Sequence, residues 1–408
     1  MKTKLAPRFA GTPLADEAQS ILRSCVHCGF CNATCPTYQE LNDERDGPRG
    51  RIYLIKQLFE GADVTSATRT HLDRCLTCRS CETTCPSGVQ YGRLIDMARG
   101  VMEDELPRNS GQRLIRWGLR KTLPNATLFG GLLKIGQSVR PVMPAALKNK
   151  IPPRQISPRQ HARSKTHKRV MLLLEGCAQP SATPNTNAAV TRVLDQLGIS
   201  LTVPVKAGCC GAVSYHLGAH DEGLETMRAN IDAWWPDIEN GAEAIVISAS
   251  GCGTMIKEYG HLLKDDPLYA QKAARVSNLA KDISEILANE RLDRVNLRPT
   301  NKKIALHTPC TLQHGQALPD LLPNILKQAG FKLVPIRENH LCCGSAGTYS
   351  ILQPTMAKRL LTRKISALEG QKPDLIATAN IGCQLHLQTG TKTPVVHWIE
   401  LLDQAIEI

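Results

Sequence analysis

In the second half of the chain, short apolar or β-branched runs alternate with longer stretches whose apolar residues recur at helical spacing. "RVMLLLEGC" leads into Cys177, "SLTVPVKAGCC" into Cys209 and Cys210, and "EAIVISASGC" into Cys252. The same order then returns: "KIALHTPC" ends at Cys310, "KLVPIRENHLCC" at Cys342 and Cys343, and "DLIATANIGC" at Cys383. Between them, "NAAVTRVLDQLG" (187–198) and "LLPNILKQAG" (321–330) read as helices. Strands alternating with helices predict parallel α/β units. Matching cysteines lie 133, 133 and 131 residues apart, which marks an internal repeat of strand-Cys, helix, strand-CCG, helix, strand-Gly-Cys. In open parallel sheets, ligands gather beyond the carboxyl ends of the strands. Each repeat is therefore expected to converge four thiols, and two repeats packed face to face would line one central cleft. Gly211 and Gly344, each directly after a cysteine pair, predict a sharp turn and a close approach of backbone to a bulky cofactor.

The first hundred residues follow another pattern. Residues 25–36 read "CVHCGFCNATCP" and residues 75–86 read "CLTCRSCETTCP", both C-x2-C-x2-C-x3-C-P. Three thiolates from one tight loop can take three corners of a [4Fe–4S] cube, while the fourth turns to the other cluster. One cluster is then expected on Cys25, Cys28, Cys31 and Cys85, and a second on Cys35, Cys75, Cys78 and Cys81. Zinc also favours C-x2-C pairs, but four thiolates satisfy it, so the third cysteine and the Cys-Pro would be superfluous. The proline is expected to halt the local turn. In "DERDGPRGRIYLIKQLFEG" (43–61), Gly47, Pro48 and Gly50 predict a helix opening there and reaching about Phe59. It would place Arg49 and Arg51 near a cluster.

Composition sharpens this picture. The 408 residues carry 16 cysteines, eight between Cys25 and Cys85 and eight between Cys177 and Cys383. "MKTKLAPRFAGTPLADEA" lacks the apolar run of a secretory signal, so the expected compartment is the cytosol, where clustered thiols serve as metal ligands. No apolar run approaches the length of a bilayer span. The net charge of +13 has an address: residues 106–170 hold 15 Lys or Arg and no Asp or Glu. Apolar residues there, as in "LIRWGLRKTL" and "LFGGLLKIG", suit short amphipathic helices on a partner subunit or a membrane surface, or else a solvated basic linker. The stretch 148–169 reads as linker. Nucleic acid is not expected, since no aromatic-rich or helix-turn-helix signature accompanies the charge. The implied units are 1–105, a basic helical linker 106–168, and repeats 169–298 and 299–408.

Several histidines lie near cysteines: His27, His216, His307, His314, His340 and His386. Such a residue can replace a thiolate or shuttle a proton, although most hydrogen-bond locally. Trp234 and Trp235 read as packing or a subunit contact. No G-x-G-x-x-G follows a predicted strand, so neither flavin nor nicotinamide is expected on this chain. At the second set of cysteines the spacing leaves the cofactor open between an iron–sulfur cluster, zinc and a cycling dithiol pair.

The first module resembles the helical ferredoxin module of succinate dehydrogenase-like and heterodisulfide reductase-like electron-transfer subunits. The repeated C-x31-C-C-G…C unit resembles the cysteine-rich domain of heterodisulfide reductase-like proteins, and in heterodisulfide reductase such domains hold non-cubane [4Fe–4S] clusters. Here the gap to the last cysteine differs between copies, 41 residues after Cys210 and 39 after Cys343. Across nearly the whole length, strings such as "RSCVHCGFCNATCPTYQ", "DGPRGRIYLIKQ", "CTLQHGQ", "HLCCGSAGTY" and "ATANIGCQ" resemble the iron–sulfur subunits of glycolate oxidases. That resemblance implies an electron-transfer subunit without a substrate site. It implies partner subunits bearing FAD that oxidise glycolate, an acceptor such as a quinone, and peripheral attachment inside the cell membrane through residues 106–170. Related complexes acting on glycerol 3-phosphate or lactate share these modules. A zinc-bound docking scaffold is the alternative outside redox chemistry.

Overall fold

The computed structural model describes residues 1–144, 148, 151–155 and 167–407. The chain is a helical module followed by two parallel α/β sheets. In the first module, helix Pro13–Ser24 starts at Thr12, whose side chain accepts from the Ala15 amide, with Pro13 in the first turn. Its stripe Ala15, Ala18, Ile21 and Leu22 is buried against helices Pro48–Phe59 and Tyr91–Glu105. The latter two contribute Ile52, Ile55, Phe59, Leu94, Ile95 and Ala98 to the same core. The helix expected to open near Pro48 does so, because proline fits the amide-free first turn. Pro36 does more than halt a turn: it is the first residue of helix Pro36–Leu41.

The linker residues are structured. Asn109 and Asn125 cap helices Ser110–Thr122 and Ala126–Val139, accepting from the amides of Gln112 and Leu128. These helices dock rather than float. The first touches helix Ala212–His216, and Gly130 of the second lies so close to Ser181 that a Cβ there would collide with its Oγ. Arg108 and Arg116 pair with Asp73, and Arg120 and Lys121 with Glu222, so part of the basic charge is spent within the molecule. Much of the stretch read as linker at 148–169 lies outside the described residues.

Strands β1 (Arg169–Leu173), β2 (Ile199–Thr202), β3 (Ile245–Ile247) and β4 (Ala280–Asp282) form a parallel sheet of order β2-β1-β3-β4. Strands β5 (Lys303–His307), β6 (Lys332–Val334), β7 (Leu375–Thr378) and β8 (Val395–His397) repeat it as β6-β5-β7-β8. Met171, Leu173 and Val246 of the first sheet and Ile304, Leu306 and Ala377 of the second face one shared core. Helices Pro184–Gln196 and Trp398–Ala405 pack together there, tied by Arg192 and Asp403 at 2.7 Å. Strands β4 and β8 lie beyond the expected repeat, which has three strands per copy. They are three residues long and carry too little alternation to register as a pattern.

The pairs of adjacent cysteines also depart from expectation. They do not directly follow β2 and β6, which end at Thr202 and Val334. These are edge strands, so a loop must carry the chain back over the sheet to bring the sulfurs near the central strands.

Asp282 shows a buried carboxyl with a pH signature. It caps helix Ile283–Ala288 by accepting from the Ser284 amide at 2.9 Å, yet it is fully buried and its second oxygen has no partner. Burial raises its pKa to about 6. An unfolded aspartate titrates near about 4, so protonation favours the folded state. Stability is fully present below about pH 4 and declines as pH rises through 6. Asp282→Asn keeps the cap oxygen and is expected to remove that decline, gaining about 2 kcal/mol at pH 7. Unfolding midpoints of both proteins across pH 4–8 check this.

Candidate metal centres

In both C-x2-C-x2-C runs, the residues between cysteines adopt left-handed backbone: His27 and Gly29 at φ 60° and 89°, Thr77 and Arg79 at 53° and 59°. Left-handed non-glycine residues cost about 1–2 kcal/mol each and cluster at functional sites. Their alternation turns three successive sulfurs inward. Cys25, Cys28, Cys31 and Cys85 line one cavity. Cys35, Cys75, Cys78 and Cys81 line another, and Cys81, Pro48 and Tyr91 border both, so the two share a wall. Cys28 is exposed, whereas Cys35, Cys75 and Cys81 are buried.

Arg51, expected near a cluster, lines the second cavity and is 1 % exposed. It donates to His71 O at 2.7 Å and Thr37 Oγ1 at 3.1 Å, and it pairs with the fully buried Asp46. Arg49 borders the first cavity and pairs with Glu44. Tyr91 is a residue that sequence reasoning missed: its hydroxyl donates to Cys75 Sγ at 3.6 Å. Arg79 pairs with Glu258 of the first repeat at 2.8 Å, fastening the strained run to the sheet domain.

The sulfurs of the second set of cysteines form a run of contacts within each repeat, and the helix carrying Cys252 packs on the turn after Cys310. In the first repeat, Cys177 touches Cys209, Cys209 touches Cys210, and Cys210 touches Cys252. Asn230 holds their loop, donating to Cys209 O at 2.6 Å and accepting from the Gly208 amide, while Tyr259 donates to Cys210 O at 2.9 Å. In the second repeat, Cys310 and Cys342 sulfurs lie 3.8 Å apart, Cys342 touches Cys343, and Cys343 touches Cys383. The loop there is held by Lys364, which is 2 % exposed and donates to the carbonyls of Glu338 and Asn339 at 3.1 and 3.0 Å. Burial pulls this ammonium down, and the four thiols of the repeat push it back up.

The glycines behave as turns. Gly211 and Gly344 sit at φ 84° and 89°. What they approach is protein: a Cβ would meet Gly223 O at 3.0 Å in helix His220–Glu239 and Ala357 O at 2.7 Å in helix Pro354–Glu369.

The two modules meet at Cys78. It packs on an apolar cluster with Cys310, Cys342, Leu76, Tyr349 and Leu360. Tyr349 donates across to Arg74 O at 3.0 Å.

The thiols fit metal ligation by their electrostatics. Burial, then neighbouring thiols, push Cys31 up to about 11 and Cys78 and Cys81 well above the usual range. Contact with Cys209, then burial, raises Cys177. Cys209 stands at about 12, where Cys210 and burial outweigh the lowering contact with Cys177. Ligation requires thiolates, and buried thiolates need compensating positive charge, which iron supplies. Of the histidines, His216 contacts Asp96 at 3.0 Å, and His314 bridges Thr83 and His340 O, which are local hydrogen-bonding roles. His27 borders the first cavity. Trp234 is fully buried and stacks with Tyr259, a packing role.

Comparison with known proteins matches residues 21–89 to a family described as a 4Fe-4S dicluster domain. Residues 171–257 and 304–388 each match one described as a cysteine-rich domain. The chain is 54% identical over 409 residues to the glycolate oxidase iron-sulfur subunit of Escherichia coli (strain K12), covering 100% of both chains. It is 31% identical over 430 residues to the probable glycolate oxidase iron-sulfur subunit of Bacillus subtilis (strain 168), covering 94% of each. Lactate utilization protein A of Bacillus licheniformis is 26% identical over 226 residues, 54% of this chain and 92% of that one. Two adjoining thiol-lined cavities in a dicluster module, two cysteine-rich repeats behind it and full-length similarity place this chain in the family of glycolate oxidase iron–sulfur subunits.

Proposed function

We propose that this chain carries electrons away from a flavoprotein subunit that oxidises glycolate to glyoxylate, and delivers them toward a quinone or similar acceptor. Glycolate oxidation releases two electrons and two protons. The reading rests on one observation above all: an exposed Cys28 at one cavity, a shared wall to the second, and Cys78 of the second packed, like Cys310, against the apolar cluster that contains Cys342. In this reading Cys25, Cys28, Cys31 and Cys85 hold one [4Fe–4S] cluster, and Cys35, Cys75, Cys78 and Cys81 the other. Such clusters supply one-electron carriage. The protein's part is to hold thiolates dry, to set charge around them with Arg51 and Lys364, and to keep the groups adjacent. The cysteines of both repeats are further metal ligands in the same reading.

The test is to purify the complex anaerobically, count iron and add substrate. About eight irons per chain correspond to the dicluster module alone, and more to filled repeats. Glycolate is expected to bleach the iron–sulfur absorbance. Bleaching by lactate or glycerol 3-phosphate but not glycolate would reassign the substrate, and a colourless zinc protein would end the redox reading.

The linker helices favour attachment to an anionic membrane surface. Among the described residues, no helix is long and apolar enough to cross a membrane. Helices Ser110–Thr122 and Ala126–Val139 expose Leu114, Trp117, Leu132 and Ile135 beside Arg113 and Lys134. Leu114→Ser/Trp117→Ser is expected to reduce co-flotation with anionic vesicles at least about fivefold, since each lost anchor is worth roughly 1 kcal/mol or more. Unchanged flotation with lost complex assembly would make the face a subunit contact instead.

A further inference from the structure

The two cysteine-rich repeats share topology and sulfur order, yet one buried pair of residues differs between them. His307 ends β5, three residues before Cys310. It is 1 % exposed, and its Nδ1 lies 2.9 Å from Thr378 Oγ1 at the end of β7. Its Nε2 has no hydrogen-bond partner. A ring nitrogen of His307 and the sulfurs of Cys343 and Cys383 all lie within 4.8 Å of one another. Aligned on their cysteines, the repeats place Leu174 where His307 stands, and Ile247 where Thr378 stands. The strand registers agree: Leu172 pairs with Ile245, as Ala305 pairs with Ile376. Leu174 and Ile247 are both buried in an apolar cluster. The histidine and the residue that orients it are thus both present in one repeat and both absent from the other.

An unpartnered imidazole nitrogen in a dry site costs about 1–3 kcal/mol of desolvation, and a neutral leucine would avoid it, as the first repeat shows. Metal-bound imidazoles commonly fix their second nitrogen on a neighbouring polar group, which is the part Thr378 plays here. We propose that His307 is a ligand of the metal centre in the second repeat, giving that centre a nitrogen donor which the first lacks. This rests on the reading that the repeats hold metal. The class of group is an iron–sulfur cluster or iron site with mixed thiolate and imidazole ligation. Neutral imidazole adds no negative charge, so the second centre accepts an electron more readily than an all-thiolate one. It is also the centre beside Cys78, so it is placed to draw electrons out of the dicluster module.

The double variant His307→Leu/Thr378→Ile copies the apolar pair that the first repeat already packs, so folding is expected to survive, checked by thermal melting. The holoprotein is prepared with 15N-labelled histidine, reduced, and its nitrogen hyperfine couplings are measured. A coupling of directly bound size, altered by the label and absent from the double variant, is the expected result. No histidine coupling in the parent, or one that persists in the double variant, overturns the proposal. Cys342→Ala separates the two levels. If metal per chain does not fall in this variant, the repeat holds no metal and the reading beneath fails. If metal falls but no histidine coupling exists, only the role of His307 fails.

Discussion

Replacing Cys78 by alanine is expected to remove about four irons per chain and to leave the protein folded. It is also expected to cut electron delivery to the acceptor by more than about 100-fold, beyond the 10–100-fold usually seen for residues that only support a metal ligand. Cys78 borders the second cavity and also belongs to the apolar cluster that contains Cys310 and Cys342. Its loss therefore strikes the contact between the modules as well as one ligand set. Cys28, exposed at the first cavity, is the instructive comparison. Cys28→Ala should lose a similar amount of iron but fail earlier, so that substrate no longer bleaches the remaining centres. With Cys78→Ala, substrate still bleaches the first centre while the acceptor stays oxidised. Iron content, substrate bleaching and acceptor reduction measured on the same preparations distinguish the two. Acceptor reduction within a few-fold of the parent for Cys78→Ala would mean that electrons leave without passing this contact.

How much of this was legible in the sequence depended on whether the signal was local. The cysteine runs are local: their spacing, with the rule that the fourth thiol of each run serves the other cluster, divides eight thiols into two sets of four. Each set lines a cavity, and Cys81 borders both. The repeat was legible because matched intervals survive divergence at other positions. The packing of Cys78 and Cys310 on one apolar cluster with Cys342 was not, because it joins residues more than 230 positions apart and no local pattern encodes such a packing. How the two repeats meet was not legible either. They share a core on one face of each sheet, and their thiols fall in different apolar clusters, while the helix that carries Cys252 packs on the turn after Cys310, Ser250 Oγ lying 2.7 Å from Thr311 Oγ1.

Lys364 is a different case, since its signal was present. On helix Pro354–Glu369 it occupies the buried stripe with Ala357, Leu360, Leu361 and Leu368. A lysine on an apolar stripe is either an error of phase or a charge with a purpose, and here it faces four thiols. Asn230 plays the corresponding part in the first repeat without a charge. Together with His307, this makes the two thiol groups electrostatically unequal despite their shared backbone.

Gly344→Ala is the second large expectation. Two costs add there. A left-handed backbone costs an alanine about 1–2 kcal/mol, and forcing a methyl group into a packed site costs about 1–3 kcal/mol more. The added Cβ would stand 2.7 Å from Ala357 O and 3.0 Å from Leu360 Cβ, so helix Pro354–Glu369 must move away. That helix carries Lys364, and the Gly344 amide itself donates to Cys342 Sγ at 3.4 Å. The substitution should therefore lower stability by about 2–5 kcal/mol and weaken metal retention in the second repeat together. Gly211→Ala should be milder, because its nearest obstacle, Gly223 O, lies at 3.0 Å. Gly118→Ala, in an exposed helix with nothing within 4 Å, should stabilise by about 0.5–1 kcal/mol. Thermal melting of the three variants, with iron counted before and after desalting, gives the order. If Gly344→Ala melted no lower than Gly118→Ala, the tight turn after the paired cysteines would carry no structural weight. If it melted lower but kept all its iron, the turn would serve the sheet and not the site.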